Sequence, residues 1–72
     1  HEARAAREAL EALLAQLPPD DRLVPTLLDL EGRSTAQIAQ LTGWSRTLVK
    51  VRAFRARGRL RAIAVRRAER ER

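Results

Sequence analysis

Seventy-two residues with no cysteine and one histidine, at position 1, leave room for one small domain and exclude a disulfide framework or a Cys/His metal site. The formal net charge of +6 is unevenly placed: residues 1–43 carry four arginines against seven acids, residues 44–72 eleven bases against two acids. Such asymmetry implies a polyanion facing the C-terminal half, with a solvated helix in an arginine-rich sequence as the competing explanation.

No apolar run approaches the roughly 20 residues of a membrane span, and no signal-peptide layout is present. The lack of cysteine is consistent with a cytosol, and a cytoplasmic protein is expected. Because the sequence starts with His1 rather than Met, it reads as a fragment of a longer protein.

The first helix is expected over about 3–17, with Leu10, Leu13, Leu14 and Leu17 at helical spacing among alanines. Pro18-Pro19 ends it, because proline disfavours helical geometry in the residue before it. The same pair opens a second helix over about 19–31, where Asp20 and Asp21 complement the positive end of the helix dipole. Leu23, Val24, Leu27, Leu28 and Leu30 form its apolar side. Pro25 falls inside this span and calls for a bend. Gly32 is a fitting C-terminal stop in the left-handed conformation.

Ser34-Thr35-Ala36-Gln37 fits a capping box at the start of a third helix, 35–42, with Ile38, Ala39 and Leu41 facing inward. Ala39 precedes Gly43 by four residues. A small residue where two helices cross, followed by a glycine for a turn with positive φ, is the layout of a helix-turn-helix, here over 35–60. Ser45 caps a fourth helix, 46–67. The fold class is therefore all-α: one domain, residues 1–72, of four helices with a C-terminal helix-turn-helix and no strand to form a wing.

At 100° per residue the fourth helix has two sides. Val49, Ala53, Ala56, Leu60 and Ile63 form the core stripe, flanked by Leu48. Opposite lie Thr47, Lys50, Val51, Phe54, Gly58 and Arg61, with Arg46 and Arg57 on one shoulder and Arg55 on the other. The candidate base-contacting residues are Thr47, Lys50, Val51, Phe54 and Arg55: apolar contact with thymine methyls for Val51 and Phe54, base edges or phosphates for Lys50 and Arg55. The alternative for Phe54 is packing on the N-terminal helix or on a neighbouring domain. Arg46, Arg52, Arg57 and Arg59 are candidates for the DNA backbone or solvated charges. Trp44, in the turn, either plugs the gap between helices or donates its N–H to the DNA backbone.

These pieces, in this order, resemble domain 4 of bacterial sigma factors, most closely the extracytoplasmic-function (ECF) group. The resemblance is carried by Leu17-Pro18-Pro19, Glu31-Gly32-Arg33-Ser34, Gln37-Ile38-Ala39, Gly43-Trp44-Ser45 and Val49-Lys50-Val51-Arg52-Ala53-Phe54-Arg55-Ala56-Arg57, ungapped over about residues 13–62. Four positions depart from the pattern: Gln37 replaces an acid, Ala53 a larger apolar residue, Pro25 an aliphatic one and Val51 a frequent serine. The resemblance implies a monomeric module that reads the promoter −35 element of double-stranded DNA. It implies scaffold helices that dock on the RNA polymerase core at the β flap, an anti-sigma factor as a further partner, and a separate domain 2 for the −10 region.

Two other readings stay open. One is the output domain of a LuxR-type regulator, also four-helical, against which the Leu-Pro-Pro entry counts. The other is a protein-interaction domain that holds a polymerase subunit or an anti-sigma factor with little DNA affinity of its own. A membrane-surface helix over 46–67 is set aside, because its apolar stripe is needed to complete the core. No enzyme and no cofactor are expected: His1 is terminal, Asp20 and Asp21 are helix-start acids, and Ser34 and Ser45 have no base at motif spacing.

Overall fold

A computed structural model describes residues 1–71 of the chain. Four helical elements follow one another: α1 (Glu2–Leu14), α2 (Pro19–Pro25, continuing directly into a π turn over Thr26–Leu30), α3 (Thr35–Thr42) and α4 (Arg46–Arg70). The described residues contain no strand, so the fold is a small all-α domain. Among them no helix is long and apolar enough to cross a membrane.

Helix α1 closes at Leu14, three residues before the expected end. The N–H groups of Gln16 and Leu17 bond back to the carbonyls of Leu13 and Leu14, each at 3.0 Å, in a tighter three-residue pattern. Two causes combine here: Pro18 disfavours helical geometry at Leu17, and the tighter turn swings Leu17 into the core, where it is 3% exposed. The carbonyls left free are taken by Arg22, which donates Nη2 to the Leu17 oxygen at 2.7 Å and to that of Ala15 at 3.3 Å.

The bend expected at Pro25 takes the form of a change in helix type. Proline has no N–H and its ring crowds the carbonyl four residues back. The chain widens to five-residue spacing after it, and Glu31 N–H bonds to the Thr26 carbonyl at 3.1 Å. Thr26 Oγ1 donates to the Arg22 carbonyl at 2.7 Å. Gly32, at φ +67°, then reverses the chain, and Arg33 N–H reaches back to the Leu27 carbonyl at 3.0 Å.

Both bonds of the capping box are present on α3: Gln37 N–H donates to Ser34 Oγ at 3.1 Å and Ser34 N–H to Gln37 Oε1 at 2.8 Å. Gly43 ends α3 in the left-handed region, φ +78°, its N–H on the Ala39 carbonyl at 2.9 Å. Ser45 Oγ accepts from Leu48 N–H at 3.0 Å and opens α4. Helix α4 runs to Arg70, past the expected end at 67, since no proline or glycine interrupts the closing turns.

The core divides into two clusters. Val24, Ile38, Val49 and Ala53 form the first, with Leu27, Leu28, Ala39 and Trp44 packed on it. Leu14, Leu17 and Leu60 form the second, covered by Leu10, Leu13, Leu30 and Ile63. Helix α4 contributes to both. At 1.5 Å per residue its length is about 37 Å, close to the longest dimension of the domain, 42 Å. Two residues assigned inward from the sequence face water instead: Leu41 is 60% and Leu23 43% exposed. Ile38 and Ala39 already fill the inner side of the two-turn α3, and no element covers the next position round. On α2, Val24 takes the inward direction and Leu23 points beside it.

Truncating Ile38, fully buried, to Ala is expected to cost about 2–5 kcal/mol in a urea or thermal melt. Leu41→Ala is expected to stay within about 0.5 kcal/mol.

Candidate nucleic-acid interface

The candidate interface is the outward side of the first half of α4. Ser45 starts the helix, and the spacing of its apolar residues decides which way it is turned. Val49, Ala53, Ala56 and Leu60 are all buried, and Ile63 is half-buried. Every residue of the opposite side must then face solvent, because a helix rotates as a rigid body.

Thr47, Lys50, Val51, Phe54 and Arg55 are all exposed. Phe54 is 79% exposed and Val51 39%, so Phe54 does not pack on the N-terminal helix. Phe54 thus holds an apolar ring in solvent between Lys50 and Arg55, on the side of α4 opposite its core stripe.

The four candidates for the DNA backbone separate into three environments. Arg46 is exposed, with no carboxylate in ion-pair reach among the described residues. Arg57 Nη2 lies 3.5 Å from Asp29 Oδ1, and Arg59 Nη1 donates to Asp21 Oδ2. Arg52 is half-buried, with its guanidinium 4.3 Å from the centre of the Trp44 ring. Its Nε is buried without a hydrogen-bond partner, and the guanidinium is attracted by the face of the indole. Arg52 is thereby engaged inside the domain and does not stand free as a solvated charge.

Trp44 plugs the junction between helices, partly buried against the cluster of Val24, Ile38, Val49 and Ala53. Its N–H backbone group donates to Thr42 Oγ1 at 3.2 Å, and Thr42 Oγ1 in turn donates to the Ile38 carbonyl at 2.8 Å. The turn is thus tied to α3 by Thr42 and to α4 by the Trp44–Arg52 stack. Sequence reasoning missed the partners of these arginines. Asp21 and Asp29 carried no motif; the opposite charge of the two halves of the chain was the available signal.

A basic second helix held by a capped turn, with its apolar stripe inward and cations outward, defines a helix-turn-helix domain. Residues 7–60 match the family described as Sigma-70, region 4. The chain belongs to that family. No curated protein and no solved structure matches it significantly.

Phe54→Ala is expected to leave stability within about 0.5 kcal/mol, whereas Arg52→Ala should cost about 0.5–2 kcal/mol through loss of the stack. Thermal melts followed by Trp44 fluorescence would measure both and show a changed indole environment in the second variant alone.

Proposed function

We propose that this chain is domain 4 of a sigma factor of the ECF group and reads the promoter −35 element for RNA polymerase. The observation that carries the reading is the exposure of Phe54 between Lys50 and Arg55, on a helix whose other side is the core of a sigma-70 region 4 domain.

The B-DNA major groove, about 12 Å wide, admits an α-helix. With α4 laid in it, Lys50 and Arg55 reach guanine N7 and O6, Thr47 donates to or accepts from a base edge, and Val51 and Phe54 meet thymine methyls. Arg46 contacts backbone phosphate. Arg57 and Arg59 do so once released from their aspartates, and Arg52 supports the interface through Trp44. These outer contacts fix register and orientation without selecting sequence. The scaffold helices dock on the polymerase core at the β flap, and exposed Leu23 and Leu41 supply apolar area for that contact. An anti-sigma factor would mask the same surfaces. The work of such a domain is cytoplasmic binding and involves no catalysis.

Titration of labelled duplexes over a salt series tests the reading. Affinity should fall with salt at a log–log slope of about −0.9 per phosphate contact, and a flat response refutes DNA binding. Lys50→Ala or Arg55→Ala should relax sequence preference by about 1–3 kcal/mol, while Arg46→Ala weakens all duplexes alike. Equal losses on promoter and scrambled DNA for all three would refute the assigned roles.

A further inference from the structure

If α4 binds DNA as proposed above, two of its candidate phosphate contacts already have rivals inside the domain. Arg57 and Arg59 each face an aspartate of α2: Asp29 at 3.5 Å, and Asp21 through a direct hydrogen bond. These pairs lie at the rim of the domain. The arginine side chains are 58% and 54% exposed, the carboxylates 30% and 28%. Arg46, Lys50 and Arg55, on the same half of α4, have no such partner among the described residues. Asp21 also lines a hollow of about 90 Å³ together with Asp20, Val24, Arg52, Arg55 and Arg59.

We propose that Asp21 and Asp29 set the DNA affinity of this domain by competing with backbone phosphate for Arg59 and Arg57. A carboxylate and a phosphate present a guanidinium with equivalent pairs of acceptor oxygens. Exposed ion pairs are weak, so they are exchanged when a phosphate arrives and hold the arginines only in its absence. The aspartate left behind then faces the phosphate and opposes it. Both effects act through the backbone, so they lower affinity without regard to base sequence and leave the base contacts a larger share of the total.

The test titrates promoter-like and scrambled duplexes at low salt with four forms of the 72-residue chain. These are the wild type, Asp21→Asn with Asp29→Asn, Arg57→Ala with Arg59→Ala, and the combination of all four substitutions. A fifth form, Glu2→Gln with Glu8→Gln, changes net charge equally on the exposed side of α1. The double Asn variant should bind both duplexes roughly 2- to 30-fold tighter, the range two exposed pairs allow. That gain should vanish in the combined variant and exceed the gain from the α1 changes.

A gain that survives without the two arginines, or that the α1 changes reproduce, overturns the proposal; so does an unchanged affinity in a double Asn variant that circular dichroism shows to be folded. Should that variant unfold, Asp29→Asn alone carries the test, with roughly 1.4- to 5-fold expected. A wild-type chain without salt-dependent duplex binding refutes the DNA-binding reading itself, whereas a binding wild type with no response to the Asn changes refutes the competition alone.

Discussion

Val49, Ala53, Ala56 and Leu60 of α4 close the core of this domain, and the geometry of everything else follows from where they sit. Val49 and Ala53 complete the cluster built with Val24 and Ile38, while Leu60 completes the one built with Leu14 and Leu17. A chain of this size buries only about 60% of the surface its unfolded form exposes, so neither cluster can spare its share of α4. The helix has one rotation that satisfies both. That rotation puts Lys50, Phe54 and Arg55 in solvent, and a turn of the helix toward hiding Phe54 would lift Val49 or Ala53 out of the core.

The small residues at the contact matter as much as the large ones. Ala39 and Ala53 are the small residues where the two-turn α3 meets α4, packed in the cluster of Ile38 and Val49. An isolated helix of that length is unstable in water. Here the reciprocal Ser34–Gln37 bonds fix its start, Gly43 its end, and Ile38 anchors its middle. The turn after it is then a rigid link, because Trp44 is pinned between the core and the Arg52 guanidinium.

Helix α2 serves two surfaces at once. Its buried side, Val24 and Pro25, supports α4, and the π turn after Pro25 carries Asp29 to the position where it meets Arg57. Its first turn carries Asp21, which stabilises the helix start through the dipole and meets Arg59 from the other side of α4. The acidic N-terminal part of the sequence and the basic C-terminal part are thereby joined at two points, while Arg46, Lys50 and Arg55 stay exposed on α4.

Periodicity and turn chemistry were enough to place the four helices, the capping box, the glycine turns and the inward stripe of α4, because these depend on neighbours within four residues. The outward residues of α4 followed from the same spacing, and the ordered motifs pointed to the family that residues 7–60 match. Other features depend on which element lies opposite. Nothing in a local pattern tells Leu41 from Ile38, or shows that Leu23 would stay wet beside Val24. The early close of α1, the widening of α2 after Pro25, and the placing of Arg52 on Trp44 were settled only when the helices packed. So was the pairing of Arg57 and Arg59 with α2. Side chains far apart in sequence meet through the fold, and it is the packing of α4 across α2 that decides which of its cations are held and which are free.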